Sequence, residues 1–169
     1  MIIPRKLERG DTIGVVAPSD PIIGKNIEEI MRAREILEKD GFKVKFSNNL
    51  FFNTCGYSAT AKEKAEDIND MFQDKDVKMV WCAKGGNNSN SVFEYLDYNV
   101  IKNNPKIVCG YSDITSLTNK IFSKTGLVTF SGTNFKTIAT DETDYSYKEI
   151  IKRFVEGSLE IGKEKSGYK

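Results

Sequence analysis

Histidine is absent from this sequence, which removes the side chain most often used as a general base near neutral pH and a very common metal ligand. A Ser-His catalytic pair therefore cannot be completed from these residues alone. Cysteine is sparse: Cys55, Cys82 and Cys109 are widely spaced, form no Cys-x-x-Cys pair and make an odd set. Neither a disulfide framework nor a metal site is indicated. Net charge is nearly absent too, with 25 basic residues against 24 acidic ones spread along the chain. No sustained field favours nucleic acid or an anionic membrane surface. Apolar runs are short, such as residues 13–18 and 79–83, and no signal-peptide core stands behind basic residues at the start. The expectation is a cytoplasmic protein, with neither nucleic acid nor membrane as a partner, whose binding comes from a local site.

What is present alternates regularly. Residues 12–18 form a continuous apolar run with β-branched members, closed by Pro18, Ser19 and Asp20, the pattern of a strand buried on both faces. Ile27, Ile30, Met31, Ala33, Ile36 and Leu37 then recur at helical spacing until Asp40-Gly41 stops them. Residues 42–46 alternate apolar and charged positions and predict a strand nearer the sheet edge. The turn-rich segment 48–59 is a candidate site rim, and Thr60 is placed to cap a helix running to about Phe72. A strand over 77–83 and a short helix near 89–95 follow. Next come a strand over 107–110, a helix from Asp113 to about Lys124, a strand near 127–130 and a last helix near 145–156. Five β-α units predict an α/β fold: a mostly parallel sheet of about five strands with helices on both faces, flavodoxin-like or Rossmann-like.

A chain of 169 residues suits one domain, which buries roughly 70% of the surface its unfolded form exposes. That domain is expected over residues 1–156. Residues 157–169 are polar and without periodicity, and read as a linker or a truncated end. Cys82 and Cys109 each close an apolar run and are expected in the core as small hydrophobes.

Ligands of parallel α/β sheets bind beyond the carboxyl ends of the strands. Four distinctive loops start at such ends here: Ser19-Asp20, residues 84–90, Ser112-Asp113 and residues 131–134. In residues 107–115 an apolar strand ends in Gly110-Tyr111-Ser112 and a helix starts at once, the layout of a nucleophile elbow. A serine on that turn projects above the sheet edge, and the following N–H, that of Asp113, points the same way as an oxyanion donor. Gly85-Gly86 lets the backbone approach a ligand closely, so that one of its N–H groups can face Ser112 as a second donor. The same strand-Gly-x-Ser-Asp-helix run also arises where Ser and Asp only cap a helix, and Ile114 replaces the last glycine of the Gly-x-Ser-x-Gly pattern. Lys84 as a substitute base in a Ser-Lys pair needs a strongly lowered pKa, for which one lysine beside a glycine turn is poor support.

Taken in order, residues 13–19, Ala83-Lys84-Gly85-Gly86 and Gly110-Tyr111-Ser112-Asp113 resemble the amino-terminal domain of the LD-carboxypeptidase family of serine peptidases, over nearly the whole chain. Within that family residues 85–91, 95–98 and 104–107 look most like the microcin C self-immunity branch. The resemblance implies that Ser112 is the nucleophile and that the N–H groups of Asp113 and a glycine of the pair, Gly85, make the oxyanion hole. It implies a substrate-contacting loop carrying Gly86, Asn87, Asn88, Ser89 and Asn90. The remaining catalytic glutamate and histidine belong, in such relatives, to a carboxy-terminal domain that these residues do not include. Ser131-Gly132-Thr133 departs from the aromatic or small residue followed by Gly-Pro that is common in relatives.

The expectation is thus the nucleophile domain of a serine carboxypeptidase acting on amide bonds in a murein peptide or a microcin-type aminoacyl nucleotide, without metal or organic cofactor and inactive alone. Its partners are that small substrate, the missing carboxy-terminal domain and, in one arrangement, a second copy of itself as a homodimer. Two rivals stand beside it. One is a non-catalytic ligand-binding module, and the other a structural fragment that self-associates through the face left uncovered.

Overall fold

The computed structural model describes residues 1–141 and 143–158. Most of the expected linker, 159–169, lies outside the described residues. The strands are β1 (Thr12–Val16), β2 (Lys43–Phe46), β3 (Val77–Cys82), β4 (Ile107–Gly110) and β5 (Phe130–Ser131). They form one sheet in the order β2-β1-β3-β4-β5, and every pairing is parallel. The order reverses between β1 and β3. In a doubly wound sheet that switch opens a crevice beyond the carboxyl ends of the two strands.

Side chains alternate across the strands and so build two cores. Ile13, Val15, Met79, Trp81 and Ile107 face one, closed by Ile30, Ala33 and Leu37 of helix α1 (Lys25–Lys39) and by Ile150 of α5 (Tyr145–Ile151). Val16, Val80, Cys82 and Val108 face the other, closed by α2 (Ala61–Gln73), α3 (Tyr98–Asn103) and α4 (Ile114–Thr125). The predicted α/β class with helices on both faces is what the chain adopts. Gly14 lets α2 approach the sheet, because a Cβ there would lie 2.6 Å from Met71 Sδ. Burial pushes the Cys109 thiol up to about 12 and the Cys82 thiol higher still, so both are inert core residues as expected.

Three local expectations shift. The last strand forms at Phe130–Ser131 rather than over 127–130, because Leu127 instead bridges Ile2. The short helix expected over 89–95 is a 3₁₀ turn at Ser89–Val92. Helix α3 had not been anticipated. Its signal was Asp97, whose side chain accepts from the N–H groups of Asn99 and Val100 as an N-cap. The expected final helix is α5 continued by a π-helical turn at Lys152–Glu156. Among the described residues no helix is long and apolar enough to cross a membrane.

Candidate functional site

Strand β4 ends at Gly110, and the chain turns sharply before α4 begins at Ile114. Ser112 makes that turn with φ 65°, a left-handed conformation that costs a non-glycine residue of order 1–3 kcal/mol and persists only where its surroundings impose it. The imposing contacts are visible. Tyr111 N–H donates to Oδ1 of the buried Asn134 at 3.2 Å, and Thr115 N–H donates to Ser112 O at 2.9 Å. Ser112 is exposed, and its hydroxyl has no hydrogen-bond partner among the described residues.

Gly85 lies directly against it. A Cβ on Gly85 would stand 3.2 Å from Ser112 Cβ and 3.4 Å from Ser112 Oγ, so the absence of a side chain is what leaves room beside the hydroxyl. Gly86 faces the other way: its Cβ would stand 2.1 Å from Asp20 Oδ1 and 2.5 Å from Ser19 Oγ. Backbone thus approaches the serine on one side and the carboxylate of Asp20 on the other.

Asp113 does not cap its own helix with its side chain. Its carboxylate reaches across the rim, accepting from Ser19 Oγ at 2.5 Å and from Ser89 N–H at 2.8 Å. Burial works against its ionisation, but the bonds from Ser19 and Ser89 outweigh it and hold the carboxyl below its usual range. The buried Ser58 hydroxyl lies 2.7 Å from Ala17 O and 2.9 Å from Ser19 O, fixing the loop after β1. Loops from β1, β3 and β4 are therefore tied together around Ser112.

Ser89 corrects one expectation. It is fully buried, its N–H goes to Asp113 and its hydroxyl lies 2.8 Å from both Asp113 O and Ser116 Oγ. It anchors the loop and has no free group to offer a substrate. Gly86, Asn87 and Asn90 are exposed and Asn88 half-buried. Asn87 and Asn88 line a cleft of about 440 Å³ together with Asp20, Tyr57 and Lys84. Cys55 and Gly56 join the same wall, so the segment before α2 does reach the rim. Lys84 Nζ meets Asp20 Oδ2 at 3.4 Å, and among the described residues no hydrogen bond joins it to Ser112.

Asn134, the last residue of the 131–134 loop expected at the rim, pins the elbow as described above. One residue near the site escaped notice in the sequence. Lys64, on the inner side of α2, donates from Nζ to Asn88 Oδ1 and lies 5.9 Å from the Tyr57 ring centroid. Its burial lowers its pKa, against the pull of the Asp113 and Asp20 charges.

Comparison with known proteins adds the following. Residues 13–132 match the family model described as the LD-carboxypeptidase N-terminal domain. YocD of Bacillus subtilis is 41% identical over 149 residues, covering 86% of this chain and 45% of that protein. A second protein of B. subtilis, named "Probable murein peptide carboxypeptidase", is 39% identical over 154 residues, covering 88% of this chain and 47% of its own length. The microcin C7 self-immunity protein MccF of Escherichia coli is 40% identical over 132 residues, 78% of this chain and 38% of MccF. A solved structure of MccF without ligand superposes with a TM-score of 0.87 at 34% identity, covering 91% of this chain and 47% of that one. Another holds glutamyl sulfamoyl guanosine. The chain spans about half the length of the relatives it matches.

Proposed function

The chain belongs to the LD-carboxypeptidase family, matched over that family's N-terminal domain, and from this premise we propose that residues 1–156 are the nucleophile domain of a serine hydrolase. The observation that carries the reading is the left-handed turn at Ser112 with Gly85 against its hydroxyl. Helix capping alone needs no strained serine, and Asp113 spends its carboxylate on other loops.

In the proposed reaction Ser112 Oγ attacks the carbonyl carbon of an amide while a base takes its proton. The oxyanion is met by the N–H groups of Asp113 and Gly85, which have no acceptor among the described residues. The base returns the proton to the leaving nitrogen as collapse expels the amine and leaves an acyl-serine, which water then hydrolyses. On this reading the base comes from outside these residues, which hold no histidine and whose Lys84 pairs with Asp20. In full-length relatives the resemblance assigns it to a histidine oriented by a glutamate on the carboxy-terminal domain.

The substrate is a small peptide-like molecule, either a murein peptide or an aminoacyl nucleotide, contacted by Gly86, Asn87, Asn88 and Asn90. The names of the relatives support both classes: one is named for murein peptides, and MccF has been solved with an aminoacyl nucleoside analogue. Cytoplasmic location fits either substrate.

The test joins this chain to the carboxy-terminal half of a full-length relative and measures hydrolysis of a murein tetrapeptide and of an aminoacyl sulfamoyl nucleoside. The joined protein is expected to hydrolyse one of them, and Ser112→Ala to abolish it. The chain by itself is expected to be slower by a factor on the order of 10³ or more, the usual cost of removing the base of a serine enzyme. Equal turnover by the isolated chain, lost in Ser112→Ala, would place the base within these residues and refute the division of the site.

A further inference from the structure

Helix α2 turns one cation inward. Lys64 is 3% exposed and sits on the same face as Ala65, Ile68 and Met71. Its Nζ donates to Asn88 Oδ1 and lies 5.9 Å from the Tyr57 ring centroid. Among the described residues it forms no ion pair; Asp113 and Asp20 act on it only from a distance. A buried ammonium bonded to a neutral amide is a poor device for holding a fold together, because desolvation of the charge opposes it. Its effect is local.

That effect falls on the turn between Gly86 and Ser89. Asn88 is held by Lys64 from the α2 side, and the next residue, Ser89, is held by the Asp113 carboxylate from the α4 side. With its carbonyl oxygen on Lys64, Asn88 directs its amide Nδ2 to Asn87 Oδ1 at 3.3 Å. Both residues line the cleft. The backbone gripped in this way is the one that brings Gly85 to the Ser112 hydroxyl.

We propose that Lys64 is a positioning residue, which fixes the 85–89 turn against Ser112 through its bond to Asn88. Its catalytic consequence rests on the oxyanion-hole reading above; its structural action does not.

Amide hydrogen exchange on the full chain tests it. The Ser89 amide, bonded to Asp113, reports the turn, and the Ala83 amide, bonded to Val16 O at 2.8 Å, reports the sheet. Lys64→Met keeps the length of the side chain and removes the donor, while Asn88→Ala removes the acceptor and leaves α2 untouched. In each, Ser89 is expected to exchange about tenfold faster with Ala83 unchanged, the size of one net hydrogen bond. The double variant is expected to add nothing further, since both changes break one bond. Unchanged Ser89 exchange in Asn88→Ala, or Ser89 and Ala83 accelerating together, overturns the role, including where Lys64→Met fails to fold. The readout needs no catalysis, so a protein that never hydrolyses substrate leaves it standing, and an active joined enzyme with unchanged exchange defeats it alone.

Discussion

At the scale of single residues, the site depends on which atoms are missing as much as on which are present. Gly85→Ala adds a Cβ 3.2 Å from Ser112 Cβ, in the space that an attacked carbonyl needs. The N–H of residue 85 is retained, but the crowded serine is displaced, and Ser112-dependent hydrolysis by the joined enzyme is expected to fall about 100-fold, as a misplacement of reacting groups by about 1 Å does, with little change in melting temperature. Gly14→Ala is the counterpart. Its Cβ meets Met71 Sδ at 2.6 Å in the core behind the sheet, so it is expected to cost about 1–3 kcal/mol of stability by overpacking while the rate at saturating substrate holds. Asp113→Asn tests the tether between loops. The carboxylate's pKa is depressed in the folded state, so its contribution is present above the ordinary carboxylate pKa and is lost as pH falls through the folded value. Urea unfolding is expected to show a deficit of about 2 kcal/mol for the variant at neutral pH, shrinking towards zero in acid. A deficit independent of pH would mean that packing rather than charge holds the loops.

At the scale of elements, the readable parts were those whose signal is local. Residues 13–16, 79–82 and 107–110 are apolar without interruption because both faces of their strands are buried, and such runs announce themselves. Thr60 announced α2 in the same way; the structure adds Glu63, since the threonine accepts from Glu63 N–H and the glutamate from Thr60 N–H, a capping box. Thr60→Ala is expected to cost about 1 kcal/mol, measured by urea unfolding. The elbow was legible because Gly-x-Ser between a strand and a helix leaves few conformations for the serine. What stayed hidden depends on distant parts of the chain. Leu127 reads as a strand residue, yet its partner is Ile2 at the other end of the sequence. Lys64 sits among Lys62, Glu63 and Glu66 and reads as one more solvated charge, until α2 packs against the loop after β3 and buries it. Ser89 looks like a loop hydroxyl for the same reason, and only the fold shows its hydroxyl spent on Asp113 and Ser116.

At the scale of the whole molecule, the proposed function has the rim completed from outside these residues. Loops from three parallel strands meet around an exposed serine, with open N–H groups beside it and no histidine anywhere in the sequence. Supplied as a separate chain, the complementary half must overcome the entropy of association that a linker reduces. Activity of the mixed halves is therefore expected to rise steeply with concentration, and to exceed that of the joined protein at none. The central claim is that the acyl group passes through Ser112, and trapping it is the most direct measurement. The joined enzyme would be mixed with substrate, quenched in acid during turnover and mapped by mass spectrometry. The account predicts an acyl adduct on the peptide carrying Ser112, absent from Ser112→Ala. An adduct on any other residue, or undiminished hydrolysis by Ser112→Ala, would contradict it.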